Sequence, residues 1–248
     1  MKVMAEKLKS ENVKPIVIIA CRVFQSLLTQ LLPDNLQGVV QYLDYGLHVH
    51  PKSLTTELQK SIDDISQPSL VVFGYGLCGN GLEGLKSKVH TLLIPRTDDC
   101  IALLLGSSEA YQQVFTSEPG TYYLTKGWLE GGSNPLQEYR EYIERFGVEK
   151  SEMIMDLQYK NYTRLMFVAH SQEELNTYQD QVKPVAEYCR QWGMRYEERI
   201  GDDGYIRNLI KMTVAFAEND GFDQITGYEN DFVVVKPGDI VQQSAFLR

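Results

Sequence analysis

The sequence is short of cysteine and histidine and has no long apolar run. Four cysteines and four histidines are scattered over 248 residues, and no two cysteines form a CxxC pair. Their spacing alone predicts no metal site, and scattered cysteines do not indicate a disulfide framework. No apolar segment approaches the roughly 20 residues needed to span a membrane, and the charged start lacks the apolar core of a secretory signal. We therefore expect a cytoplasmic protein.

Positive charge is also scarce, and several catalytic motifs are missing. The formal net charge is −9, whereas a general nucleic-acid-binding protein presents a basic surface. The chain has no GxSxG, no HExxH, no paired-carboxylate signature and no G-K-[ST], so the enzyme classes that these motifs mark are not indicated. We expect neither nucleic acid nor a membrane as a partner.

Strand-like and helix-like segments alternate along the first half of the chain. The apolar, β-branched runs that predict strands lie at residues 15–21, 38–46, 69–76 and 89–96. The segments that predict helices lie at residues 22–32, 47–65, 81–88 and 98–115. This alternation predicts a doubly wound, mostly parallel α/β sheet of Rossmann-like type.

The second half continues in the same way. Its predicted strands lie at residues 164–170, 194–201 and 231–241, and its predicted helices at 134–146, 150–159, 171–192 and 203–216. We expect two packed β/α halves. The first, residues 15–130, carries the cysteine- and glycine-rich segments, and the second spans residues 131–248.

One loop contains an unusual density of glycine. The segment FGYGLCGNGLEGL, residues 73–85, places one cysteine among five glycines after the third predicted strand. Glycine in a packed element costs roughly 0.5–1 kcal/mol relative to alanine, so the cluster indicates positive φ angles or close approach to a ligand. Gly76, Gly79 and Gly81 can present backbone N–H groups to an anion or to the sulfides of a cluster. The formal G-x-G-x-x-G at 74–79 is a weak dinucleotide signal, because it does not follow the first strand.

Candidate ligands follow the ends of the first four predicted strands. Cys21 ends the first strand, and His48, Cys78 and Cys100 follow the next three. Carboxyl ends of parallel strands share one edge, where such sheets bind ligands, so we expect these residues to converge. Thiolates and imidazoles bind transition metals, and thiolates bind iron–sulfur clusters. The alternative is that the cysteines only fill core positions. His50 would face away from His48 in an extended chain, and His48 is preferred.

Four further residues have possible chemical uses. Arg96 can anchor an anion, and the acids of PRTDDC can carry protons or cap the helix that follows. Tyr122, in the aromatic segment GTYYLTKGW, can form a wall for a planar ligand. Core packing is the alternative role of Tyr122.

These segments make the chain resemble the domain family of unknown function numbered 1638, from methanogenic archaea and anaerobic bacteria. The matching segments are IIACRV, YGLHVHP, YGLCGNGLEGL, IPRTDDCIALLLGS and PGTYYLTKGW. The family commonly has a histidine where Asp98 stands here. The resemblance implies a link with corrinoid-dependent methyltransferases and anaerobic methyl-group metabolism. It also supports Cys21, His48, Cys78 and Cys100 as candidate site residues.

Three functions are consistent with this sequence. The first is an accessory protein that binds a metal ion or an iron–sulfur cluster through Cys21, Cys78, Cys100 and His48, with a corrinoid as a further cofactor. The second is a thiol enzyme for a small anionic or methylated substrate, with Cys78 as a nucleophile activated by a following helix N-terminus. The third is a scaffold that binds a corrinoid protein or a methyltransferase, with purely structural cysteines.

Overall fold

The computed structural model describes residues 15–218 and 229–247 of the chain. The strands of these residues are β1 Ile16–Cys21, β2 Val40–Leu43, β3 Leu70–Gly74, β4 Thr91–Pro95, β5 Thr121–Leu124, β6 Arg164–Ala169, β7 Arg195–Ile200 and β8 Phe232–Val235. Their α-helices are α1 Gln25–Leu31, α2 Asp34–Gln37, α3 Pro51–Asp63, α4 Ile101–Leu105, α5 Ser108–Ser117, α6 Lys126–Glu130, α7 Pro135–Phe146, α8 Val148–Tyr159, α9 Gln172–Cys189 and α10 Gly204–Glu218. Strand and helix alternate as the sequence predicts.

The first sheet has five strands in the order β2-β1-β3-β4-β8. The pairs among β2, β1, β3 and β4 are parallel, and β8 is antiparallel to β4. β3 and β4 are buried along their whole length, which explains why their sequences are continuous apolar runs rather than alternating ones. The prediction of a mostly parallel, Rossmann-like α/β fold is confirmed.

The second sheet has three parallel strands in the order β5-β6-β7. Its central strand β6 is buried throughout, whereas β7 at the edge is largely exposed. The core beside this sheet includes Leu124, Phe167 and Val182, and Tyr122 and Trp192 pack against it. The strand and helix predicted around residues 164–192 are therefore present.

The chain divides into two compact units. The first takes the described residues up to Leu103 and those from Gly204 onward, and the second runs from Leu104 to Asp203. The halves expected from the sequence divide the chain after residue 130 and assign the closing strand to the second half. In the structure β8 hydrogen-bonds to β4, because its apolar residues complete the first sheet.

Two helix predictions differ from the structure. No helix follows the glycine-rich loop, where residues 81–88 form turns and an isolated bridge. The N–H groups of Gly84 and Ser87 donate to the carbonyls of Val241 and Asp239, so distant contacts replace the helical ones. The helix predicted over residues 98–115 is divided into α4 and α5 at Gly106, whose φ is +91°.

Among the residues that the structure describes, no helix has both the length and the apolar character that crossing a membrane requires.

The packing of β1 against β3 yields a test of the fold. A Cβ at Gly74 would lie 2.6 Å from the Cβ of Ala20. We expect Gly74→Ala to lower the free energy of unfolding by about 1–3 kcal/mol, because the two strands would have to separate. Urea denaturation measures this change.

Gly38→Ala is the matched control for this substitution. Nothing lies within 4 Å of a Cβ built there, and the φ of Gly38 is −75°. Its stability should stay the same or rise by up to about 1 kcal/mol. Equal stabilities of the two variants would contradict the tight packing of Gly74 on Ala20.

Candidate functional site

The candidate site lies where the direction of strand connection reverses. In the order β2-β1-β3-β4, the chain leaves β1 toward β2 on one side, and β3 stands on the other side. Open α/β sheets bind ligands in the crevice at this point, outside the carboxyl ends of the strands. Cys21 is the last residue of β1, and Tyr75 directly follows the end of β3.

Two loops of the first unit run side by side at this edge. The N–H of Leu77 donates to the carbonyl of Thr97, and that of Cys78 to the carbonyl of Asp98, each at 2.8 Å. A Cβ at Gly76 would lie 2.7 Å from the carbonyl atoms of Asp99. Only glycine therefore allows the loops after β3 and β4 to approach so closely.

This pairing of loops brings two thiols into contact. The Sγ atoms of Cys78 and Cys100 lie 3.3 Å apart, and both residues are buried and free of a disulfide. The sulfurs are much farther apart than the roughly 2.05 Å of a covalent bond. They form an S–H···S contact between reduced thiols that are 22 positions apart in sequence. The predicted convergence of Cys78 and Cys100 is thus present.

The backbone at Cys78 is held in an unfavourable conformation. Cys78, Gly79 and Asn80 have φ angles of 49°, 62° and 69°. Residues other than glycine rarely occupy this left-handed region, and they do so at a cost of about 1–3 kcal/mol. A hydrogen bond of 3.1 Å from the N–H of Gly81 to the carbonyl of Cys78 closes the turn. Such strain concentrates at functional sites, where surrounding structure maintains it.

Gly81 also needs to be glycine. A Cβ there would lie 2.5 Å from Cδ2 of Leu54 on α3. The hydroxyl of Thr55 donates to the Gly81 carbonyl at 2.8 Å, so α3 fixes the end of the loop. Gly79 is exposed, and a Cβ there would only touch Pro51 at 3.4 Å. The glycines predicted to cradle a ligand therefore have different roles, with Gly76 and Gly81 allowing close packing.

Tyr75 lies among the cysteines and is the residue that sequence reasoning missed. It is 2% exposed, and its hydroxyl has no hydrogen-bond partner among the described residues. Burial raises the pKa of this hydroxyl, and Cys21, Cys100 and Cys78 raise it further. A buried polar group without a partner costs about 1–3 kcal/mol. The only sequence signal was a polar aromatic residue directly after a buried strand.

Two thiols of this site, those of Cys21 and Cys100, are held in their protonated form. Burial raises the pKa of Cys21, and the neighbouring Cys100 adds to the rise. The pKa of Cys100 lies well above its ordinary value, chiefly because of its hydrogen bond with Cys78 and then because of burial. The N–H of Gly76 acts in the opposite direction and lowers the pKa of Cys100. Burial and mutual contact therefore outweigh the single backbone donor.

A full set of ligands is not assembled around the sulfurs. Within the described part of the chain, no group of three or more histidine, cysteine, aspartate or glutamate side chains is placed to hold a metal ion. His48 lies in a 3-10 helix, Tyr45–Val49, but its side chain is outside the described part of the structure. Cys78 and Cys100 form the pair, and Cys21 is an electrostatic neighbour of Cys100.

The other predicted residues make contacts that stabilise the fold. The guanidinium of Arg96 donates to the carbonyls of Glu229, at 2.8 Å, and Leu247. Asp99 caps α4, with its Oδ1 accepting from the N–H of Ile101 at 2.7 Å, so the capping alternative for one acid is correct. Tyr122 lies in the second unit and packs edge-to-face on Tyr159.

Activation of Cys78 by a helix N-terminus has no basis in the described residues. The segment after the glycine-rich loop forms turns, and so no helix dipole follows Cys78 there. Cys189, the fourth cysteine, is buried on α9 in the second unit. Its pKa is raised to about 12 by burial, as for a cysteine that fills a core position.

A family model matches most of the chain. The model of the family described as protein of unknown function DUF1638 matches residues 42–210, which is more than half of the chain. No curated protein and no solved structure matches the chain. The matched region includes His48, Cys78 and Cys100, and it begins after Cys21.

The hydroxyl of Tyr75 yields a test of the site. We expect Tyr75→Phe to raise the free energy of unfolding of the metal-free protein by about 1–3 kcal/mol, because it removes an unpaired buried hydroxyl. Urea denaturation of the purified protein measures this change in the free energy of unfolding.

Tyr159→Phe is the matched control, since Tyr159 is also a buried tyrosine. Its hydroxyl donates to Oε2 of Glu138 at 2.6 Å, so this variant should lose about 1–3 kcal/mol. If Tyr75→Phe is destabilised as much as Tyr159→Phe, the hydroxyl of Tyr75 has a partner and the interpretation is wrong.

Proposed function

This chain belongs to the DUF1638 family, and we propose that it binds a metal ion or an iron–sulfur cluster through the thiolates of Cys78 and Cys100. The distance of 3.3 Å between their sulfurs carries the proposal. Its support is the position of this pair at the reversal point of the first sheet, where α/β proteins of this type bind ligands.

The distance between the two sulfurs is close to the distance that binding to one metal ion requires. Two thiolates bound to one tetrahedral ion, with bonds near 2.3 Å, lie about 3.8 Å apart. The sulfurs of Cys78 and Cys100 are 3.3 Å apart, so they would separate by about half an ångström. Thiolate ligands select zinc, Cu(I) and iron–sulfur clusters. The same pair would not fit magnesium or calcium, which take oxygen ligands.

Cys21 and His48 complete the proposed ligand set. Cys21 is close enough to Cys100 for that residue to raise its pKa, and Cys21 in turn raises the pKa of Tyr75. His48 follows β2 on the backbone. Recruiting them requires a local rearrangement of side chains when the metal binds. The N–H of Gly76 already acts on Cys100, and the N–H of Gly79 is the further donor proposed to face bound sulfide or another anion.

Tyr75 has a use in the proposed centre. Its hydroxyl lies among Cys21, Cys78 and Cys100 and has no partner among the described residues. Hydrogen bonds to the sulfurs of a cluster or of ligating thiolates tune the metal and orient its ligands. Tyr75 would donate such a bond, which removes the cost of its unpaired hydroxyl.

The proposed role is that of an accessory protein in anaerobic metabolism. The resemblance to the family implies a place beside corrinoid-dependent methyl transfer. Electron delivery, metal handling or maintenance of a corrinoid system would each use a thiolate-bound centre. A corrinoid protein or a methyltransferase is the proposed partner, and a corrinoid is the further proposed cofactor.

Removal of either paired thiol should abolish metal binding. Protein purified without oxygen is analysed for Fe, Co, Ni and Zn, and its visible spectrum is recorded. We expect stoichiometric metal in the wild type and less than about a tenth of it in Cys78→Ser and Cys100→Ser, because a hydroxyl is a poor substitute for a thiolate ligand.

Cys189→Ser is the matched control, because Cys189 is equally buried but lies in the second unit. It should retain the metal of the wild type. Wild-type protein without stoichiometric metal, even after anaerobic incubation with Fe(II) and sulfide or with Zn(II), would overturn the proposal. Cobalt with a corrinoid spectrum would instead identify a corrinoid carrier.

Metal affinity should rise with pH. Ligating thiols must lose their protons, and the pKa values of Cys21 and Cys100 are raised above ordinary values, so these thiols are protonated at neutral pH. Below their pKa values, each displaced proton strengthens binding by about tenfold per pH unit. Competition with a chromophoric zinc chelator between about pH 6 and 8 measures the slope. An affinity independent of pH would contradict thiolate ligation.

A further inference from the structure

The contact between the two sulfurs also points to chemistry that needs no metal. We propose that Cys78 and Cys100 form a redox-active dithiol, which closes to a disulfide by exchange with a low-molecular-weight disulfide. This inference rests on the sulfur pair and its two loops alone. It therefore stands or fails separately from the metal centre proposed above.

The geometry leaves a short distance to close. The Sγ atoms are 3.3 Å apart, and a disulfide of about 2.05 Å requires them to approach by about 1.3 Å. The loops that carry them are joined by the hydrogen bonds from Leu77 to Thr97 and from Cys78 to Asp98. Neighbouring backbones thus hold the thiols together before any bond forms, which reduces the entropy that ring closure must overcome.

The loop at Cys78 has room for this movement on one side. Gly79 and Asn80, which follow Cys78, are exposed, whereas the Gly76 side of the loop is packed against Asp99. The left-handed φ of 49° at Cys78 is unfavourable, so the conformation is already strained. Rotation of the Cys78 side chain, with movement of residues 79–80, would adjust the position of the Cys78 sulfur and leave the hydrogen bond from the Cys78 N–H to Asp98 in place.

Burial limits the oxidant to a small molecule. Cys78 is 6% exposed and Cys100 is 9% exposed, so a disulfide on a folded protein would not reach either sulfur. A small disulfide such as oxidised glutathione or cystine approaches through the exposed side at Gly79, which has no side chain. This access favours Cys78 as the thiol that attacks the small disulfide and forms the mixed disulfide. Cys100 is then the thiol that resolves it.

The exchange is balanced in two steps. Cys78 gives up its proton and attacks one sulfur of RSSR, forming the mixed disulfide Cys78–S–S–R and releasing RS⁻, which takes up a proton. Cys100 then gives up its proton and attacks the Cys78 sulfur, and the second RS⁻ leaves and is protonated. Overall, two protein thiols are oxidised, one RSSR is reduced, and two RSH are formed.

Oxidation would also control the proposed metal centre. A disulfide between Cys78 and Cys100 removes two of its thiolate ligands, so the metal-bound and oxidised states exclude each other. This consequence, unlike the disulfide itself, rests on the proposed function.

The test uses the whole metal-free protein incubated with oxidised glutathione under nitrogen. Intact-mass spectrometry should show a loss of two hydrogens, and thiol titration after denaturation should find two of the four cysteines still reduced. Peptide mapping should join Cys78 to Cys100, and dithiothreitol should restore both thiols. Metal content is measured on the same preparation before oxidation, so that the two proposals are judged separately.

Variants identify the order of attack. Cys100→Ser should stop at a stable glutathione adduct on Cys78, and Cys189→Ser should form the disulfide like the wild type. If all thiols of the wild type stay reduced, or if the bond joins Cys21 or Cys189 instead, the proposal is wrong. Mapping of the wild type decides this even if a variant fails to fold.

Discussion

The candidate site depends on the hydrogen bonds that join the loop after β3 to the loop after β4. Leu77 and Cys78 donate to the carbonyls of Thr97 and Asp98, and the absence of a side chain at Gly76 allows the approach. This arrangement lies beyond the ends of β3 and β4. It determines that two cysteines far apart in sequence lie with their sulfurs in contact.

The site also combines features that are unfavourable in an ordinary core. It holds the unpaired hydroxyl of Tyr75, the left-handed backbone of Cys78 and three buried thiols with polar neighbours. Local costs of this kind, each about 1–3 kcal/mol, persist where a function requires them. Well-packed surroundings maintain them, including the strands β3 and β4, which are buried along their whole length. The concentration of these costs at the reversal point of the sheet is the main reason to assign the function there.

Sequence patterns predicted the strands of the first sheet and the meeting of Cys78 with Cys100, because parallel strands place their carboxyl ends at one edge. They did not predict the turns after the glycine-rich loop, since Gly84 and Ser87 bond to residues around 240, and no local pattern reports such a distant contact. The contacts of Arg96 with the carbonyls of Glu229 and Leu247 were missed for the same reason. Tyr75 was missed because an unsatisfied hydroxyl is a property of its surroundings and not of its own residue type.

The division of the chain into units bears on the order in which a ribosome can complete them. The second unit is one continuous segment, Leu104–Asp203, and all its strands are available once that segment has emerged. The first sheet also needs β8, Phe232–Val235, which is made only after the whole second unit. Until then the edge of β4 is without its antiparallel neighbour and exposes backbone groups that invite pairing with other chains. The strand that carries the loop of Cys100 is therefore the last to be protected in the newborn protein.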